Sequence, residues 1–149
     1  MIDYFDASVV VPYLMAEPHS EAVIAFMAED DRTLQVSDFV VAEVSSAISR
    51  LVRMRKLTLA DANSVLDDLD DWIEATTAPI EIEGGDVREA TALVRQFNLK
   101  LRAPDALHIA ICRRIDARLI TLDINLADAA RAVGVACINP ADTHGDMKD

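Results

Sequence analysis

Residues 102–123 read RAPDALHIAICRRIDARLITLD, and no other stretch restricts the available folds so strongly. Pro104 suits the first helical position, where its missing N–H costs no hydrogen bond, and Asp105 follows in the electropositive first turn. Ala106, Leu107, Ile109, Ala110 and Ile111 make the next turns almost wholly apolar, so this helix is expected to pack against a sheet. After the charged break at residues 113–116, Leu119-Ile120-Thr121-Leu122 has the short, partly β-branched composition of a buried strand, with Asp123 at its C-terminal end.

In an open α/β sheet the C-terminal ends of the strands and the N-terminal ends of the following helices share one edge, where ligands bind. Asp105 and Asp123 can meet at such an edge. Taken singly, Asp105 reads as a first-turn acid complementing the helix dipole, and Asp123 as the N-cap of a helix that starts near Ile124.

The same arrangement recurs at the N-terminus, where residues 2–5 form a strand-like run ending in Asp6 and residues 7–17 form an apolar helix with Pro12 in its early turns. Pro18 ends that helix, residues 20–29 read as a second one, and Glu29-Asp30-Asp31 as a solvated turn. Residues 34–36 are a second strand, and Ser37 or Asp38 caps a long helix running to about Arg55. On it Val40, Val44, Ala47, Ile48 and Leu51 share one face, with Glu43 and Arg50 on the rim. Thr58 opens a helix to about Glu74 whose acids Asp67, Asp68, Asp70 and Asp71 form its wet face. Residues 79–82 supply a third strand, Gly84-Gly85 a turn and residues 86–97 a helix; past Asp123 come a short helix stopped by Gly134 and a last strand over residues 135–138. This alternation predicts a single α/β domain over residues 1–140, a mostly parallel five-stranded sheet with helices on both faces, and a mobile tail over residues 141–149 in which His144 is inert.

At 149 residues the chain is large enough to bury a sizeable core without staples. Cys112 and Cys137 fall in apolar runs and read as buried thiols. No stretch has the length of a membrane span and the first residues, MIDYFD, lack a basic region followed by an apolar one, so a cytoplasmic location is expected. A net charge of −12 argues against loose electrostatic attachment to nucleic acid or to an anionic membrane.

In this fold Asp6, Glu43, Asp105 and Asp123 fall near one edge of the sheet. Carboxylates gathered so closely cannot all stay ionised without compensation, and a divalent cation supplies it. Oxygen-only ligands suit Mg²⁺ or Mn²⁺, whereas zinc would recruit histidine or cysteine, and His19, His108 and His144 show no zinc spacing. His108, one turn after Asp105 on an apolar helix, reads as a satisfied core residue able to donate to a carboxylate from behind the site.

Four pieces, residues 2–8 (IDYFDAS), 41–47 (VAEVSSA), 103–110 (APDALHIA) and 119–123 (LITLD), occur in an order that resembles the PIN-domain ribonucleases, and within them the VapC toxins of bacterial toxin–antitoxin pairs. They span nearly the whole chain, and as a set they are specific although each piece alone is weak. The resemblance implies a Mg²⁺- or Mn²⁺-dependent endoribonuclease with its acidic quartet on Asp6, Glu43, Asp105 and Asp123, and with Thr121 as the small hydroxyl residue that orients an acid or water. It further implies a homodimer and a cognate VapB-type antitoxin that covers the site. To hold RNA, so acidic a chain needs a local basic stripe. Arg50 and Arg53 are the candidates, continued by Arg55 and Lys56 and approached by Lys100 and Arg102; the same cations also read as ordinary solvated charges.

A phosphoacceptor receiver domain would show adjacent acids after its first strand, and a haloacid-dehalogenase-type phosphatase an Asp-x-Asp; here Asp6 is followed by Ala7 and Ser8. The alternative from another class is a catalytically silent PIN-like scaffold that only binds partners. Retention of all four acids speaks against it.

Overall fold

Strand β1 (Ile2–Phe5) is central, and the side chains of Asp3, Tyr4 and Phe5 are all fully buried although they alternate between its two faces. Tyr4 meets the His108 ring on one side and Phe5 meets Phe26 on the other, so the sheet is covered on both faces, as a parallel sheet requires. This computed structural model describes residues 1–29 and 32–142. Within them β2 (Thr33–Gln35), β3 (Ala117–Ile120) and β4 (Cys137–Ile138) join β1 in an all-parallel sheet of order β2-β1-β3-β4. The helices are α1 (Ala7–Leu14), α2 (Ser20–Met27), α3 (Asp38–Arg53), α4 (Leu59–Thr76), α5 (Gly84–Val94), α6 (Ala103–Ile115) and α7 (Ile124–Ala132).

The expected five-stranded sheet has four strands among the described residues. Residues 79–82 contribute a single bridge, in which Ile80 N–H donates to the Val36 carbonyl and the Ile80 carbonyl accepts from Asp38 N–H, both at 2.9 Å. Pro79 has no N–H to offer, and the partner strand is lost at once because Ser37 already caps α3, accepting from Val40 N–H at 3.2 Å. On the other side the Glu81 carbonyl is taken by Arg114, and Glu83 N–H donates to the Asp86 carboxylate. That contact also starts α5 at Gly84, so the two glycines expected in a turn are its first residues. Helix α1 stops at Leu14, short of the expected Glu17, because the Ser20 hydroxyl donates to the Met15 carbonyl and accepts Glu17 N–H. Pro104 is the second residue of α6.

The middle of helix α6 is buried on all sides, from Ala106 to Cys112, and Arg114 ties its end to Asp86 through hydrogen bonds of 2.8 and 3.0 Å. Burial raises the Asp86 carboxyl, but these bonds and the Glu83 N–H outweigh it and hold the group below the usual carboxylate range. Asp116 at φ 53° turns α6 directly into β3, and Gly134 at φ 83° stops α7 as expected. Cys112 is buried and Cys137 half-buried, both free, and burial raises both thiols, that of Cys137 to about 11. No helix among the described residues is long and apolar enough to cross a membrane. Asn139 and Pro140 are buried, and Ala141 and Asp142 turn on Asn139 through their N–H groups; the rest of the expected tail, with His144, lies outside the described residues, as do Asp30 and Asp31 of the acidic turn.

A buried ion cluster holds the N-terminal half of the sheet. Arg118 on β3 donates twice to Asp3 at 2.8 and 3.0 Å, and Arg32, ahead of β2, donates to it at 2.7 Å while lying 3.6 Å above the Phe26 ring. Asp3→Ala removes the shared acceptor of two guanidinium groups and is expected to cost about 3 kcal/mol. Urea unfolding of the variant and wild type checks this; a difference below about 1 kcal/mol would put the cluster among dispensable surface pairs.

Candidate active site

The sheet order reverses between β1 and β3, since the chain leaves β1 toward β2 and leaves β3 toward β4. A crevice at the C-terminal ends of such strands is where open α/β sheets bind ligands. Asp6 closes β1 there at 5% exposure. It stands at the N-cap of α1, yet its carboxylate makes no capping bond. Ser8 Oγ donates to Oδ1 at 2.6 Å and Thr121 Oγ1 donates to Oδ2 at 2.7 Å. The backbone beyond β3 fixes both hydroxyls, for Leu122 N–H donates to Ser8 Oγ at 2.9 Å and Asp123 N–H to Thr121 Oγ1 at 3.0 Å. Burial nevertheless raises the Asp6 carboxyl from 3.8 to about 6, against the opposing pull of His108, Ser8 and Thr121, and the Glu43 charge raises it further.

Glu43 lies on the rim of α3, 27% of its side chain exposed, and His108 Nε2 meets its Oε1 at 2.5 Å. The other ring nitrogen, Nδ1, meets the Tyr4 hydroxyl at 2.7 Å, and that hydroxyl meets Ser37 Oγ at 2.8 Å. An ionised carboxylate only accepts, so with a neutral ring Nε2 carries the proton, Tyr4 donates to Nδ1 and Ser37 donates to Tyr4. Burial raises the Tyr4 hydroxyl well above its ordinary value, keeping its proton in place. His108 is both things the sequence suggested, a satisfied core residue at 2% exposure and a partner to a carboxylate.

Asp105 occupies the first turn of α6 with 14% of its side chain exposed and Arg102 3.7 Å away. Burial raises its carboxyl, and the charges of Asp123 and Glu43 raise it further. Asp123 caps α7, accepting Leu126 N–H at 3.1 Å, so its expected capping role coexists with its place at the crevice. Glu43 thus acts on both Asp6 and Asp105, and Asp123 on Asp105, which links the four acids electrostatically. Among the described residues no three acids or histidines converge into a ready-made ligand set. The donor chemistry still fits Mg²⁺ or Mn²⁺, because a small hard cation binds through one or two carboxylates and keeps several waters.

Beside the acids runs a groove of about 860 Å³ that joins Ser8 and Glu43 to Arg50, Arg53, Lys56 and Arg102. Arg55 and Lys100, read from the sequence as parts of the same stripe, do not line it. Ser8, Tyr4 and Ser37 escaped the sequence reading. Ser8, two residues after Asp6, carried a usable signal, while Tyr4 and Ser37 looked like an ordinary strand residue and an ordinary helix cap.

No curated protein matches the chain by sequence. Among solved structures it resembles FitAcB from Neisseria gonorrhoeae, with TM-score 0.75 and 20% identity over 95% of this chain and 99% of that one. It also resembles VapBC2 from Rickettsia felis, solved bound to a DNA fragment from its promoter, with TM-score 0.69 and 18% identity over 93% and 98%. A third likeness is to VapC20 from Mycobacterium tuberculosis, a toxin that cleaves the sarcin–ricin loop, with TM-score 0.68 and 14% identity over 90% and 96%. The family model of the PIN domain matches residues 4–132, a span that runs from β1 through α7 and includes every acid of the crevice, and the chain belongs to the PIN domain family.

Proposed function

We propose that this chain is the toxin of a toxin–antitoxin pair and a divalent-metal-dependent endoribonuclease that hydrolyses RNA phosphodiester bonds. The observation that carries the reading is Asp6, a buried carboxylate raised to about 6, held by two hydroxyls, under the charge of Glu43 and, among the described residues, paired with no arginine or lysine. Membership of the PIN family supports it, as does the likeness to VapBC2 and to an RNA-cleaving VapC toxin.

Asp6, Glu43, Asp105 and Asp123 are the residues that would hold Mg²⁺ or Mn²⁺. When bound, such a cation supplies Lewis acidity toward the phosphodiester and makes a water acidic enough to attack it. Thr121 and Ser8 aim the Asp6 carboxylate, and a carboxylate of the quartet orients the attacking water. Arg50 and Arg53 guide the RNA backbone along the groove toward the acids. The protein works as a homodimer restrained by a VapB-type antitoxin. That partner sets an arginine among the acids, because an uncompensated carboxylate cluster accepts a guanidinium as readily as a metal ion; a complex with no cationic side chain near Asp6 or Asp105 refutes this assignment.

Asp6→Asn, Glu43→Gln, Asp105→Asn and Asp123→Asn are each expected to reduce Mg²⁺-dependent RNA cleavage by about 100-fold or more while the fold survives. RNA cleavage by Asp105→Asn at the wild-type rate would remove Asp105 from the mechanism.

Stability without metal checks the charge argument. Asp6 titrates near 6 in the fold against 3.8 in the unfolded chain, so its contribution is largest below 3.8 and is lost as pH rises through 6. On going from pH 7 to pH 4 in EDTA the wild type gains about 2 kcal/mol from this group. The Asp86 carboxyl, held low, works the other way and withdraws stability only once pH falls below the ordinary carboxylate range. Urea unfolding of Asp6→Asn should show higher stability at pH 7 and a clearly smaller gain toward pH 4 than wild type, the remainder coming from Asp105, whose carboxyl burial also raises; a gain as large as wild type's would mean that Asp6 is not the group that titrates.

Arg50→Ala with Arg53→Ala is expected to weaken RNA binding and to lower the slope of log affinity against log salt by about one to two, leaving Mn²⁺ affinity unchanged. Equal slopes for the variant and wild type would place the RNA elsewhere.

A further inference from the structure

We infer that His108 is a positioning residue for Glu43, locked by Tyr4 so that Nε2–H holds the Glu43 carboxylate toward the crevice where Asp6 and Asp105 lie. The inference rests on the metal-dependent reading above and names the parts that make its site rigid.

Asp6 closes β1 and Asp105 opens α6, two elements buried in the core, so their positions are set by packing. Glu43 belongs to α3, an amphipathic helix that presents it on the rim, and a glutamate has three side-chain torsions to fix. Tyr4 lies on β1 two residues before Asp6, which directly follows the strand, and Asp105 and His108 are one turn apart on α6, so the elements that place two of the acids also carry the two residues that reach α3. Tyr4 reaches Ser37 at the N-cap of α3, and His108 reaches Glu43 in its second turn. The hydrogen-bonded Tyr4–His108 pair therefore grips α3 at two points. Among the described residues His108 is the side chain to which Glu43 is bonded.

The ring itself is held on its other sides. Phe39, on the first turn of α3, lies with its ring centroid 5.7 Å from that of His108, and the Tyr4 ring stands at the same distance. With Nδ1 bonded to the Tyr4 hydroxyl, Nε2 is the ring nitrogen left to meet Glu43, and because a carboxylate only accepts, it meets it as N–H. A hydrogen bond from behind sets the direction of a ligating carboxylate, and loss of such a partner typically costs about 10- to 100-fold in metal affinity or activity.

Two substitutions of His108 separate its two contacts. The amide of His108→Gln reaches the place of Nε2 and can still donate to Glu43, whereas that of His108→Asn reaches the place of Nδ1 and keeps only Tyr4. The measurements are Mn²⁺ affinity by titration of the metal-free protein, kcat and KM for a single-stranded RNA, and melting temperature in EDTA. The expected result is a loss of Mn²⁺ affinity of about 10-fold or more for His108→Asn, with kcat lowered and KM unchanged, and recovery to within a few-fold of wild type by His108→Gln. Equal losses in both variants that follow their melting temperatures would make His108 a packing residue and overturn the inference, as would two variants that bind Mn²⁺ like wild type. Tyr4→Phe keeps the ring and removes the lock, so its Mn²⁺ affinity should fall in the same direction by several-fold. If His108→Asn does not fold, Tyr4→Phe with wild-type affinity overturns the inference by itself. A wild type that binds no Mn²⁺ and cuts no RNA defeats the functional reading, and the assignment of His108 falls with it; a wild type that does both while the variants match it defeats the assignment alone.

Discussion

Everything at the crevice answers to one constraint, a carboxylate at the end of the central strand that is almost wholly removed from water. Burying an unpaired charge is costly enough that a group usually neutralises or recruits a partner. Asp6 does a little of each. Burial raises its carboxyl to about 6, and two hydroxyls, themselves fixed by backbone N–H groups past β3, supply hydrogen bonds without supplying charge. The strand that ends in Thr121 is thereby fastened to the strand that ends in Asp6 through the site itself as well as through the sheet ladder. The cost of that arrangement is carried by the rest of the domain, chiefly by the apolar side chains of β1, β3 and α6.

Helix α6 shows how core and site share residues. Its middle is buried all round, which fixes its position to the tolerance of a packed interior, and its first turn and His108 take part in the crevice. A glutamate on the rim of α3 would not inherit that rigidity from its own helix.

The position of Asp6, Asp105 and Asp123 at one edge was legible because a parallel strand's C-terminal end and the next helix's N-terminal end lie together, and each of the three follows a strand or stands in the first turn of a helix; Glu43, in the second turn of α3, was read from its place on the rim of that helix, and Thr121 from the family resemblance. Both readings of Asp123 and of His108 proved compatible, since a cap and a core residue still have a polar face to present. The fifth strand was misread because Ile80 and Ile82 have the right composition but too few backbone groups free for a ladder. The glycine pair was misread because Asp86, which supplies the acceptor that starts α5, looked like the first residue of the helix. Asp3 gave no warning either: the arginines that neutralise it come from positions 32 and 118, and one strand residue alone does not reveal them.

Strand β1 carries two buried acids, and the chain treats them oppositely. Asp3 receives two guanidinium groups at folding, while among the described residues no arginine or lysine pairs with Asp6. At Asp3 the attraction and the desolvation cost are both settled inside the fold. At Asp6 only the desolvation has been settled. On the metal-dependent reading proposed above, a cation would meet a carboxylate already stripped of water and already oriented, and its affinity would be drawn from work done when the chain folded, so that the first strand would exchange conformational stability for recognition of positive charge.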